Sequence, residues 1–387
     1  MKHAGPGALS GLRVVEFAGL GPGPFASMLL ADMGADVVVI ERPGLPDRAA
    51  AEHRGKRSIV LDLKRASDRD VAWALLDRAD ALIEGFRPGV MERLGLGPDA
   101  VAARCPRLVY GRVTGWGQDG PLAHAAGHDI NYVSLTGAMS VAGRPGEAPM
   151  IPATLVGDMG GGAMFLAFGI VCALLEARAS GRGQVVDAAM IDGAAMLASL
   201  IHQRRAAGTW SDDAARNFFL GASPFYDVFE CADGAFVSLG AIEPPFYAEL
   251  LARLGLPDVD PARQYAFDDW PALRERVAAL LKTQPRSFWC AHLEGSDACF
   301  APVLTMAEAP RHPHHAARGS FVEVEGHALP APAPRLSRSG ARVPHPGPRP
   351  GQHADELLRE CGASRRATSL SDTSASTTRA LKHPKPV

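Results

Sequence analysis

Leu12-Arg13-Val14-Val15-Glu16-Phe17-Ala18, the turn Gly19-Leu20-Gly21-Pro22-Gly23-Pro24, the run 25–34 and Asp36-Val37-Val38-Val39-Ile40-Glu41 together decide the fold. The first and last are short apolar runs rich in β-branched residues, and they read as buried strands. Between them Phe25, Met28, Leu29 and Met33 recur at helical spacing. Strand, glycine turn, helix and strand make a βαβ unit, which implies a parallel sheet with a right-handed crossover. A dinucleotide fingerprint would also look like this, with Glu41 where a ribose-binding acid would stand. Its spacing fails, because Gly19, Gly21 and Gly23 alternate and Pro24 occupies the place of the third glycine.

Working outward, strands are expected over 58–64, 81–84 and 107–113, with a helix over 68–78. The alternation makes the first part an open α/β sheet, and such sheets bind ligands outside the carboxyl ends of their strands. Arg42, Arg54, Lys56, Arg57 and Arg87 fall just past or between those strands, a set of cations suited to a phosphate-bearing ligand. Residues 1–195 are read as a large α/β domain and 196–224 as a linker. A smaller α+β domain over 225–310 opens on a hairpin turning at Ala232-Asp233-Gly234. Residues 311–362 are proline-rich and end in a short helix, and 363–387 should be disordered. His312, His314 and His315 are read as loop residues, not metal ligands.

The chain has 387 residues, 47% hydrophobic and 21% charged, and fits two globular domains. A net charge of -2 points away from a nucleic-acid partner. Six scattered cysteines with no CxxC pair fit a reducing cytoplasm. The N-terminal residues lack the long apolar core of a signal peptide, and no apolar run reaches membrane-spanning length.

Two stretches carry chemistry. Gly127-His128-Asp129-Ile130-Asn131-Tyr132 precedes a helix-like run over 132–139. About thirty residues on, Val156-Gly157-Asp158-Met159-Gly160-Gly161-Gly162 puts a carboxylate before the apolar run 163–177. Both polar groups are expected near helix N-termini, where free N–H groups and the macrodipole favour negative charge. A titratable base beside such a site suits the formation of an enolate or a tetrahedral oxyanion.

The opening motif, with Leu30-Ala31-Asp32-Met33-Gly34-Ala35-Asp36-Val37, resembles the class III CoA-transferase family of the formyl-CoA transferase type. Thr114-Gly115-Trp116-Gly117-Gln118, the two stretches above, Gly240-Ala241-Ile242-Glu243-Pro244-Pro245-Phe246-Tyr247, Asp297-Ala298-Cys299, Pro302-Val303-Leu304 and Pro332-Ala333-Pro334-Arg335 resemble its α-methylacyl-CoA racemase branch. The likeness runs over about residues 9 to 360. It implies an interlocked homodimer of a large α/β and a small domain. The active site would lie between the large domain of one subunit and the small domain of the other. It also implies an acyl-CoA thioester as substrate and no separate cofactor, since CoA is part of the substrate.

By that resemblance His128 and Asp158 match the acid/base pair and Glu243 the partner of the aspartate. Arg42, Arg54, Lys56 and Arg87 would hold the phosphates and adenine end of CoA. Asp129 and Tyr132 would lie near the pantetheine and thioester, and Gly127 would allow close backbone approach. The implied reaction is epimerisation of a 2-methyl-branched acyl-CoA by 1,1-proton transfer, with Glu243 raising the pKa of Asp158. The alternative is a CoA-transferase acting through an aspartyl thioester on Asp158. A catalytically silent CoA-binding homologue is disfavoured because His128, Asp158 and Glu243 are all present.

Overall fold

The computed structural model describes residues 7–46, 51–150, 153–341 and 346–362. The expected βαβ unit is there: β1 (Arg13–Phe17), α1 (Pro22–Asp32) and β2 (Asp36–Glu41). The chain continues through β3 (Lys56–Val60), α2 (Ala66–Leu76), β4 (Ala81–Glu84), α3 (Val90–Arg93), α4 (Pro98–Arg104) and β5 (Val109–Thr114). Then come α5 (Asp129–Leu135), a π-helix (Leu155–Met164), α6 (Phe165–Ser180), β6 (Val185–Ala189), α7 (Met190–Leu197) and α8 (Ser199–Ala206). The six strands lie in the order β3-β2-β1-β4-β5-β6 and are all parallel. The order reverses direction between β1 and β4, which is where an open α/β sheet binds its ligand.

Alternation along each strand feeds two cores. Val14, Val37, Ile83 and Val113 face Ala26 and Leu30 of α1 and Leu166 and Ile170 of α6. Their neighbours Val15, Val38 and Leu82 face the other way, toward Leu75 and Leu76 of α2. A sheet covered on both faces has to be apolar on both, and that accounts for the unbroken Val-Ile runs.

The second domain has a three-stranded antiparallel sheet, β7 (Tyr226–Glu230), β8 (Phe236–Gly240) and β9 (Phe300–Val303). Helices α9 (Pro244–Arg253), α10 (Trp270–Leu281) and α11 (Arg286–Leu293) pack on it around Phe225, Val237, Leu239, Tyr247 and Trp270. The two large indoles are satisfied: Trp270 donates to the Gln264 carbonyl at 2.8 Å and Trp289 to that of Leu281 at 2.8 Å. Asp227, 8% exposed, pairs with Arg274 of this domain and with Arg144 of the large one. Afterwards come α12 (Pro313–Arg318), the hairpin β10 (Phe321–Val324) and β11 (His327–Pro330), and α13 (Ala354–Cys361). Helix α13 returns to the large domain, where Leu357 and Leu358 join the α2 core. Arg13 and Arg57 both hold its Glu360.

Several expectations are corrected. Helix α1 starts at Pro22, inside the expected turn, because proline is pre-set for a first helical position and Gly21 takes φ 67° just before it. Strand β6 had no counterpart in the sequence reading. The π-helix runs on into α6, so 155–180 is one helix of 26 residues, long enough to span a membrane by length and composition. The expected run fell short because glycines 160–162 hid its first half. His312 caps α12 and pairs with Glu294 at 2.8 Å, where a loop was expected. The expectation of a disordered tail over 363–387 lies outside the described residues.

Candidate active site

The site sits where the sheet order reverses, at the carboxyl ends of β1, β4 and β5. After β5, Gly115 leaves room for a ring: a Cβ there would lie 2.0 Å from Tyr132 Cζ. Tyr132, 7% exposed, therefore lies on the strand end, edge-on to Trp116 with centroids 4.7 Å apart. Its hydroxyl donates to the Gly127 carbonyl. A Cβ on Gly127 would meet Tyr132 Cε1 at 2.8 Å and Trp116 Cζ2 at 3.0 Å, so the close approach at Gly127 is to these two rings.

That packing fixes the start of α5. His128 is its N-cap, exposed and extended, and its N–H donates to the Asn131 side chain at 3.0 Å. The next residue, Asp129, is buried, and its Oδ1 accepts the N–H of Asp158 at 2.7 Å. Gly157 makes this possible, since a Cβ there would lie 2.4 Å from that oxygen. A single side chain thus ties the N-terminus of α5 to the first turn of the π-helix and brings His128 and Asp158 together. Asp158 is half-buried, and its carboxylate lies against the turn after β1, with Oδ2 3.4 Å from where a Cβ on Gly21 would be.

Burial raises the pKa of Asp158, the Asp129 carboxylate raises it further, and His128 opposes both. Burial and Asp158 raise the pKa of Tyr132, and the charge of Arg87 opposes them. Within one chain the carboxylate that neighbours Asp158 is therefore Asp129. Glu243 is exposed at the N-cap of α9 on the small domain, where its charge acts on Tyr265 and Cys299. Asp129→Asn keeps an acceptor for the Asp158 N–H but removes the charge. The pKa of Asp158 then falls, so any step needing protonated Asp158 should lose its high-pH limb at a lower pH than in the wild type. Matched pH–rate profiles of the two proteins check this.

The expected cations divide. Arg42 and Arg87 are exposed just beyond β2 and β4. Arg54 and Lys56 are buried, each committed inside the fold. Arg54 grips Asp32 at 3.1 and 2.5 Å and donates to the Pro330 carbonyl at 2.8 Å. Lys56 donates to Glu16 at 2.7 Å and to the Pro24 carbonyl at 3.0 Å. Neither guanidinium nor ammonium is free to meet a phosphate in this arrangement. The sequence reading missed Gly21 and Trp116 as parts of the site. Their signal was available, a glycine turn after β1 and a Gly-Trp-Gly after β5, both at carboxyl ends. Among the described residues no three His, Cys, Asp or Glu side chains converge as metal ligands.

The arrangement offers an acid/base pair of two different residues beside a helix N-terminus whose first N–H groups have no intrahelical acceptor. The sequence matches the family model described as CoA-transferase family III over residues 9–354. The chain is 45% identical to the alpha-methylacyl-CoA racemase of Mus musculus, covering 92% of this chain and 94% of that one. It is 43% identical to the alpha-methylacyl-CoA racemase of Homo sapiens, with 92% and 94% covered. Among solved structures it is similar to a CAIB/BAIF family protein from Brucella suis, with TM-score 0.80, 25% identity, and 92% of this chain and 100% of that chain covered.

Proposed function

The chain belongs to CoA-transferase family III, and from that premise we propose that it is an isomerase epimerising 2-methyl-branched acyl-CoA thioesters by 1,1-proton transfer through an enolate. The observation that carries the reading is His128 beside Asp158, with burial and Asp129 raising the pKa of Asp158 against the pull of His128. His128 removes the α-proton from one face of the α-carbon, and the electron pair of the C–H bond moves onto the thioester oxygen. Protonated Asp158 then gives its proton to the opposite face, and the reverse direction exchanges the two roles. In this reading the N–H of Asp129, first in α5, holds the enolate oxygen, with the helix dipole behind it.

Arg42 and Arg87, being exposed, are available to the phosphates of CoA, with Tyr132 beside the thioester. The reaction draws on no further cofactor. The assembly is a cytoplasmic homodimer in which a second copy brings its Glu243 toward Asp158. The exposure of Glu243 in the single chain supports this reading.

Incubation in deuterated buffer with one stereoisomer of a 2-methylacyl-CoA, and no acceptor acid, tests it. Deuterium at the α-carbon together with the opposite stereoisomer is expected. CoA movement only after a free carboxylic acid is added would instead make Asp158 a nucleophile.

A further inference from the structure

Strand β8 ends at Gly240, and Ala241, Ile242 and Glu243 carry the chain into α9. An N-cap side chain such as that of Glu243 ordinarily accepts the N–H of the second or third helical residue. Here Pro244 and Pro245 fill the first two helical positions, proline offers no N–H, and the Glu243 carboxylate caps nothing. It is also exposed, so packing does not hold it. Its place is set by the backbone just before it, and that backbone is gripped from outside. Gln264, 3% exposed, donates from Nε2 to the Ala241 carbonyl at 2.9 Å and to the Ile242 carbonyl at 2.9 Å. Of the two ends of a glutamine amide only the nitrogen can donate to two carbonyls, so these partners fix which way the amide points. The Tyr265 hydroxyl donates to the same Ile242 carbonyl at 2.8 Å. Gln264 is anchored in turn, because its own carbonyl accepts the N–H of the buried Trp270 indole at 2.8 Å.

Two side chains thus fix the two peptide groups that lead directly into a carboxylate with no tether of its own. We propose that Gln264 and Tyr265 are positioning residues for the proton transfer, holding the backbone at Ala241 and Ile242 and so setting where Glu243 stands when a second copy presents it to Asp158. This rests on the reading that a second copy brings its Glu243 to the site, and it names the groups that make that approach repeatable. Gln264 is buried in the small domain and acts only through Glu243. A misplacement of about 1 Å, made at a distance from the chemistry, can lower a rate on the order of 10²-fold.

The test measures deuterium incorporation into one stereoisomer of a 2-methylacyl-CoA by the wild type, Gln264→Met, Tyr265→Phe and Glu243→Gln, and by each of the first two changes combined with the third. In Gln264→Met kcat is expected to fall roughly ten- to a hundredfold with KM nearly unchanged, and in Tyr265→Phe severalfold. In the Glu243→Gln background each change should alter kcat by less than about twofold, since the carboxylate it places is gone. Falls of the same size in both backgrounds overturn the proposal and make the two residues structural. An unchanged kcat in Gln264→Met beside an impaired Glu243→Gln also overturns it, and leaves the role of Glu243 standing. If Gln264→Met does not fold, Tyr265→Phe, altered only by the loss of its hydroxyl, decides by the same comparison. Full activity of Glu243→Gln overturns the reading that Glu243 serves the site, and the role of Gln264 and Tyr265 with it. No deuterium with the wild type overturns the epimerase reading itself, and this proposal falls with it.

Discussion

His128→Ala is expected to abolish interconversion of the two stereoisomers, by about 10²–10⁴-fold, the usual contribution of a positioned acid/base group. It should not abolish proton exchange from both stereoisomers. Each base serves one face of the α-carbon, so a variant with Asp158 intact still exchanges the proton of the isomer that presents its hydrogen to Asp158. Asp158→Asn should show the complementary pattern, exchange surviving only from the other isomer. Deuterium incorporation from each pure stereoisomer, followed by mass and chiral analysis, checks both variants in one design. Complete loss of exchange from both isomers in both variants would argue against two bases on opposite faces.

The second large effect is on stability. Lys56→Met should destabilise the protein by about 3–5 kcal/mol, the cost of removing one partner of a buried ion pair. Lys56 Nζ is fully buried between Glu16 Oε2 and the Pro24 carbonyl, and Ser27 Oγ donates to the same two oxygens. Burial pulls the Lys56 amine down and by itself would push Glu16 up, but the attraction of Lys56 and His53 holds Glu16 below its usual range. Without the ammonium, Glu16 is an unpaired charge under the first turn of α1. Adding Glu16→Gln to Lys56→Met should recover much of the loss. Urea unfolding of the three proteins checks this, and free-CoA binding to the double variant separates a structural lysine from a phosphate-binding one.

The βαβ start was legible because both periodicities and the glycine turn agreed, and β1, β4 and the β7–β8 hairpin lie within a few residues of expectation. Strand β6 was not, because an edge strand with Val185 exposed lacks the apolar run that marked the others. The π-helix was hidden for a different reason. Glycines 160–162 show no periodicity, since their role is close packing: a Cβ on Gly193 of α7 would lie 1.9 Å from the Gly161 carbonyl oxygen. In the site, residue types and order marked out His128, Asp129, Tyr132 and Asp158. Which way a cation points could not be read, and Lys56, first residue of β3, turns inward to Glu16 instead of outward to solvent. That Asp129 also neighbours Asp158 could not be read, because the contact depends on the crossing of two helical segments.

The return of α13 to the large domain bears on how the chain is made. The small domain is contiguous and can close as soon as its own residues leave the ribosome. The large domain cannot, because Arg13 waits for Glu360, 347 residues later, and the α2 core waits for Leu357. At ordinary synthesis speeds the interval between β3 and α13 is roughly 15–60 s. Through that time one flank of the nascent sheet stands uncovered. Chaperone demand during synthesis should therefore concentrate on the part of the chain made first, and loss of the last helix should harm the oldest residues more than the newest.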